Sequence, residues 1–171
     1  MIDEDALKHG GWWKATKVSD ISGNVALEFG KGTYIKALDN GLFTLGFPHG
    51  EGEGPSPEEM FTAFPINNTK VSFKSGYGKY LKIEKDGMVT GRSEAVGSME
   101  QWEPIFQDGK MALLSESGNF MCIDPEDDAC CALKKKVGKA EIVVARCSAV
   151  RAEDIVEEKQ GDLNQVELNY V

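Results

Sequence analysis

The chain has 171 residues, of which 41% are hydrophobic, and carries a formal net charge of −9. That length and composition suit one domain with a sizeable core, and the acidic balance argues against a general polyanion-binding protein. No apolar run approaches the eighteen or so residues that a membrane-spanning helix needs.

The first residues, MIDEDALKHGGWW, are acidic and lack an apolar stretch, which does not fit a secretory signal and sets the expectation of a soluble intracellular domain. Residues 1–22 read as an N-terminal arm with Trp12-Trp13 as its strong apolar feature. Cap packing against the body is the plain reading of these rings; stacking on a base or sugar is the alternative.

Residues 23–148 read as the body, built from three weak copies of one β pattern. They are NVALEFGKGTYIKALDNGLFTLG from Asn24, KVSFKSGYGKYLKIEKDGMVTGR from Lys70 and KMALLSESGNFMCIDPEDDA from Lys110. Each copy runs from an alternating strand through a glycine turn to an aromatic–aliphatic pair: Tyr34-Ile35, Tyr80-Leu81 or Phe120-Met121. An acidic turn follows, then a closing strand holding Phe61, Trp102 or Ile142. A unit of roughly forty residues cannot bury a core alone, so the copies must pack together. The expected fold is all-β, a β-trefoil of three four-stranded repeats with pseudo-threefold symmetry. A solenoid would need capping repeats, and a propeller usually needs at least four blades.

The alternation of Val25, Leu27 and Phe29 with Ala26 and Glu28 predicts strands buried on one face. Loop 46–60, with its glycines and prolines, is expected to hold no strand or helix interior. Residues 149–171 read as a C-terminal segment packing back on the domain: a short helix ended by Gly161, then a strand through Val166, Leu168 and Tyr170 near Trp12-Trp13.

Catalytic and metal constellations are not evident. His9 and His49 have no matching nucleophile or metal partner nearby in sequence, and no G-x-S-x-G elbow occurs. Lys79 follows Gly76-Tyr77-Gly78, yet Phe73 and Tyr80 break the phosphate-loop pattern. Around Asp124, Glu126, Asp127 and Asp128 a calcium loop would need a glycine at Ala129 and a glutamate at Lys135. Cys122, Cys130, Cys131 and Cys147 lack Cx2C spacing and read as reduced packing residues. The expectation is a protein that is not an enzyme, with no cofactor, metal or small-molecule substrate. A trefoil lectin would show Gln-x-Trp in each repeat, whereas Gln101 and Trp102 are adjacent and unrepeated.

Charge is unevenly spread. Between Lys70 and Arg92 six basic residues (Lys70, Lys74, Lys79, Lys82, Lys85 and Arg92) face two acidic ones, a positive island on an acidic body. It reads either as a solvated strand face or as a docking patch for phosphates or an acidic partner. Lys134, Lys135, Lys136 and Lys139 form a secondary basic cluster.

Several longer strings go further: KGTYIKALDNGLFTLG (31–46), EGPSPEE (53–59), KSGYGKYL (74–81), GRSEAVG (91–97) and EQWEPIFQDGKMALL (100–114). With Trp12-Trp13 and the terminal VELNYV, they closely resemble the FSHD region gene one protein family over about residues 11–171. The resemblance implies a fascin-like trefoil and a non-enzymatic protein of nucleus and nucleolus, prominent in muscle, with a cytoplasmic actin-associated pool. It implies sequence-independent RNA binding as an adaptor in pre-mRNA splicing, rRNA processing and ribosome biogenesis, with spliceosomal and nucleolar ribonucleoproteins as partners and no membrane. F-actin binding and bundling is the alternative it implies. Lys74, Lys79 and Arg92 stand at family positions. The resemblance also implies lysine-rich extensions on both sides of this region, so a longer natural chain is expected.

Overall fold

In the computed structural model, which describes residues 3–149, thirteen short strands follow one short helix, α1 (Glu4–Lys8). After β1 (Trp13–Lys14), four strands fall in each sequence copy. The first copy holds β2 (Gly23–Glu28), β3 (Ile35–Ala37), β4 (Phe43–Leu45) and β5 (Phe61–Pro65). The second holds β6 (Val71–Ser75), β7 (Tyr80–Ile83), β8 (Val89–Ser93) and β9 (Glu103–Gln107). The third holds β10 (Lys110–Leu114), β11 (Phe120–Ile123), β12 (Cys130–Lys134) and β13 (Val144–Cys147). All ladders are antiparallel, and they form sheets of seven (β1-β13-β2-β5-β6-β7-β8), four (β12-β11-β10-β9) and two strands (β3-β4).

The aliphatic member of each aromatic pair, Ile35, Leu81 and Met121, is fully buried. The three hairpins those residues begin also meet one another. Thr44 bridges Ala129, and Met88 bridges Cys131. Gly91 N–H donates to the Gly41 carbonyl at 2.8 Å, and Ala132 N–H to the Gly87 carbonyl at 2.7 Å. Gly41 and Gly87 sit at φ +84° and +88°, and a β-carbon there would strike the Arg92 and Leu133 side chains. Left-handed backbone and close approach together demand glycine. In the third hairpin Asp128 (φ 58°) takes the same conformation, which aspartate tolerates better than most residues.

A second threefold device was hidden in the sequence. Glu59, Glu100 and Glu141 recur at intervals of 41 residues, each at the end of a 3-10 turn: Pro57–Glu59, Ser98–Glu100 and Lys139–Glu141. Each buried carboxylate accepts the backbone N–H three residues back, from Ser56 at 2.8 Å, Gly97 at 2.7 Å and Gly138 at 2.7 Å. The first of these turns lies in loop 46–60 and starts on Pro57, which needs no N–H at a helical first position.

Those turns also correct the closing core residue of the third copy. Two residues beyond each buried glutamate stand Phe61, Trp102 and Val143, which are 2%, 0% and 0% exposed. Ile142, expected in that role, is partly exposed because alternation after the turn sends Val143 inward. Val143 N–H bonds the Met111 carbonyl at 2.9 Å, as Trp102 N–H bonds Val71 at 2.8 Å. Trp102 also donates its indole N–H to the Leu81 carbonyl at 3.2 Å.

β2 is buried on both faces rather than one: Val25, Ala26, Leu27 and Glu28 all lie within. The N-terminal arm supplies part of the cover, since buried His9 lies 3.0 Å from Glu28. Asp3 caps α1, β1 pairs with β13, and Ala15 N–H bonds the Ala145 carbonyl at 2.9 Å, so the arm lies against the sheet. Trp13 is buried and donates its indole N–H to the Ala149 carbonyl at 2.6 Å. The C-terminal helix and the strand through Val166, Leu168 and Tyr170, with their packing near Trp12-Trp13, fall outside the described residues.

Candidate nucleic-acid interface

Alternation sends one side of β6 and β7 inward as Val71, Phe73, Leu81 and Ile83. Lys74, Tyr80 and Lys82 therefore face outward. Lys74 and Tyr80 are cross-strand neighbours, and the Lys74 amine stands over the Tyr80 ring, 5.5 Å from its centroid. Phe64, on neighbouring β5, lies 6.2 Å from Tyr80 centroid to centroid and is 41% exposed. Tyr77, in the β6–β7 turn, is 52% exposed. Aromatic rings thus interleave with lysines on one sheet surface.

Beyond Lys82 that surface opens into a groove of about 660 Å³. Leu42, Met88 and Met99 give it an apolar lining, while Lys82, Lys85 and Arg92 stand along it. Arg92 lies against Gly41 and donates from Nε to the Asn40 carbonyl at 3.1 Å. The acids of the groove are engaged locally: Glu84 lies 3.5 Å from Lys82, and Asp86 accepts the Met88 N–H at 3.0 Å.

The six cations of the island are therefore not equivalent. Lys74, Lys85 and Arg92 make no ion pair with a described residue. Lys79 is hydrogen-bonded to Glu94, which holds the Glu94 carboxyl below its usual range. Lys70 reaches Glu116 in the β10–β11 turn at 3.9 Å. The secondary cluster joins the same neighbourhood, since Leu133 packs where a Gly87 side chain would be and Lys134 follows it on β12. Lys134, Lys135, Lys136 and Lys139 are all exposed.

The histidines have partners that sequence distance concealed. His9 Nδ1 donates to the Asp5 carbonyl at 2.9 Å, while its Nε2 lies 3.0 Å from Glu28 and 3.2 Å from Arg146. Arg146 in turn donates from Nε to Glu28 at 2.8 Å and from Nη1 to Asp5 at 2.5 Å. That hydrogen bond keeps the Asp5 carboxyl below its ordinary 3.8. His49 lies 2.7 Å from buried Glu59. Tyr34, stacked obliquely on His49, is buried, which pushes its hydroxyl up to about 12. These contacts tie the arm and loop 46–60 to the body. Among the described residues, no three or more His, Cys, Asp or Glu side chains are grouped to hold a metal ion.

The cysteines are likewise buried. Cys122 and Cys131 face each other across β11 and β12 with sulfurs 3.3 Å apart, and both are unbridged. Burial pushes both thiols up, Cys131 to about 12, which suppresses the reactive thiolate.

Comparison with known proteins places this geometry in a family. The FRG1-like domain model matches residues 32–171. A Drosophila melanogaster protein, "Protein FRG1 homolog", is 66% identical over 175 aligned positions, covering 99% of this chain and 66% of its own length. A Caenorhabditis elegans protein of the same description is 43% identical over 124 positions, covering 68% of this chain and 45% of its own length. The chain therefore spans less than two thirds of the curated relatives it matches.

Proposed function

The chain belongs to the FRG1-like family, and from that premise we propose that it is a non-enzymatic RNA-associated adaptor which holds RNA without sequence specificity. The observation that carries this reading is the outward surface of β5–β8, where Lys74 rides over Tyr80 beside exposed Phe64 and the row continues through Lys82 to Lys85 and Arg92. Lysines neutralise phosphates and rings stack on bases of any identity, so such a surface grips a backbone without reading a code. Placement in the nucleus and nucleolus, with splicing and rRNA-processing particles as partners, belongs to the same proposal. So does a fascin-like β-trefoil: three four-strand copies, hairpins bridged to one another and glutamate caps at intervals of 41 residues all support it.

Binding of a labelled RNA by fluorescence anisotropy tests the surface. Lys74→Glu with Lys82→Glu is expected to weaken binding at least tenfold with the thermal midpoint little changed, because both side chains are partly exposed. An unchanged dissociation constant would reject this site.

F-actin is the second reading. It is favoured by the exposed Leu133 and Val137 set among Lys134, Lys135 and Lys136, an apolar and basic patch suited to an acidic protein surface. Because that patch adjoins the Gly87 hairpin, one copy would grip a filament at one place, and bundling would require a second copy. Co-sedimentation with filaments separates the readings: loss on Leu133→Ser with RNA affinity unchanged would support actin.

A further inference from the structure

We infer that the Leu42–Met88–Met99 groove receives an unstacked base, so that the RNA this domain binds is single-stranded rather than duplex. The inference rests on the RNA reading above and adds to it a substrate class and a second contact region. Three observations meet here. Exposed Phe64, against Tyr80, and exposed Tyr77, in the turn between Lys74 and Tyr80, offer ring surface, and base stacking on it requires bases that are not already paired. Lys82 lies two residues along β7 from Tyr80 and also lines the groove, so a backbone crossing the strands would be led to its mouth. Leu42 and Met99 remain 36% and 41% exposed in the groove's lining, which also carries Lys82, Lys85 and Arg92 beside Glu84, paired with Lys82, and Asp86, bonded to the Met88 N–H. A volume of about 660 Å³ lies in the range of small-molecule sites.

That arrangement suits a nucleotide: the flat, weakly polar base against leucine and methionine, and its flanking phosphates at Lys82, Lys85 and Arg92. The thioether side chains are flexible and polarizable, so they fit purines and pyrimidines alike, in keeping with binding that ignores sequence. A duplex would present phosphates, 2′-hydroxyls and base edges, but its base faces are stacked inside the helix and could neither lie on a ring nor enter the groove.

The test compares a fluorescein-labelled twelve-nucleotide oligouridine with the same strand annealed to oligoadenosine, at one fixed salt concentration. The single strand is expected to bind at least about tenfold more tightly. Leu42→Ala with Met99→Ala should cost the single strand roughly five- to tenfold and leave the duplex unchanged, since both residues are exposed and uncharged. A 2-aminopurine placed in the strand should change its emission on binding to the parent protein and change less with the double variant. Equal affinity for strand and duplex, with the double variant behaving as parent, would overturn the inference. If Lys74→Glu with Lys82→Glu still weakened both ligands, the RNA reading would survive that outcome. Failure of either RNA to bind would remove both. Loss of filament pelleting in the double variant, with RNA affinity intact, would reassign the groove to a protein partner and overturn the inference.

Discussion

Asp5 is half exposed, yet through Arg146 it connects α1 to a buried Arg146–Glu28 pair. Its carboxyl sits below its ordinary 3.8 because the guanidinium hydrogen bond favours the charged form. A depressed folded-state value means a stabilising contribution that is complete above the unfolded value and lost as pH falls through the lowered one. Thermal melts of the parent and Asp5→Asn should therefore differ from pH 5 to 7, with the parent higher. The gap should narrow below about pH 4 and close on further acidification. A gap independent of pH would show that Asp5 acts through packing alone. Nothing in the sequence announced this contact, because Asp5 and Arg146 lie at opposite ends of the described chain and only pairing of β1 with β13 and of β13 with β2 brings them together.

Among elements, the 3-10 turns carry the clearest repeated chemistry. Each buried glutamate satisfies a backbone donor that would otherwise be stranded as the chain re-enters the core. Replacing Glu100 by Ala leaves the Gly97 N–H and the Ser93 hydroxyl without that partner. We expect about 1–3 kcal/mol of destabilisation in urea unfolding, the usual cost of orphaning a buried polar group. Glu141→Ala should fall in the same range, whereas exposed Glu116→Ala should stay within about 0.5 kcal/mol of the parent. Similar losses at all three sites would contradict a capping role. Strand content was legible from period-two alternation, and the number of strands per copy followed from the glycine and acidic turns. Two expectations fail for physical reasons. Simple alternation points to Ile142 as the core residue, but the 3-10 turn ending at Glu141 resets the phase and sends Val143 inward. Alternation also makes β2 half buried, and nothing local shows that His9 of the arm meets Glu28.

At the scale of the molecule, an acidic chain carries a run of six cations from Lys70 to Arg92, while exposed Lys8, Lys17, Lys31 and Lys110 lie outside that stretch. The sequence showed that Lys70 to Arg92 formed an island, and counting charges could go no further. Pairing ranks the cations: Lys74, Lys85 and Arg92 make no ion pair among the described residues, Lys82 lies 3.5 Å from Glu84, and Glu94 and Glu116 stand against Lys79 and Lys70. The aromatic component was legible in principle, since Tyr80 and Lys82 share a strand face by alternation. The groove was not, because Leu42, Met88 and Met99 come from separate turns and strands that meet only when the hairpins pack. The same packing joins the Lys134 cluster to the Lys85 hairpin, two segments that look unrelated along the chain.

In the proposed RNA surface, Lys74, Lys85 and Arg92 contact phosphates together with Lys82, which exchanges the Glu84 carboxylate for phosphate. The salt dependence of oligouridine affinity tests that arrangement most directly. About 0.7 log unit is lost per contact for each tenfold rise in salt, so four contacts predict a slope near −3. In Lys74→Glu with Lys82→Glu the slope should become shallower by at least about 1.4. A parent slope near zero, or a variant slope equal to the parent's, would contradict the account.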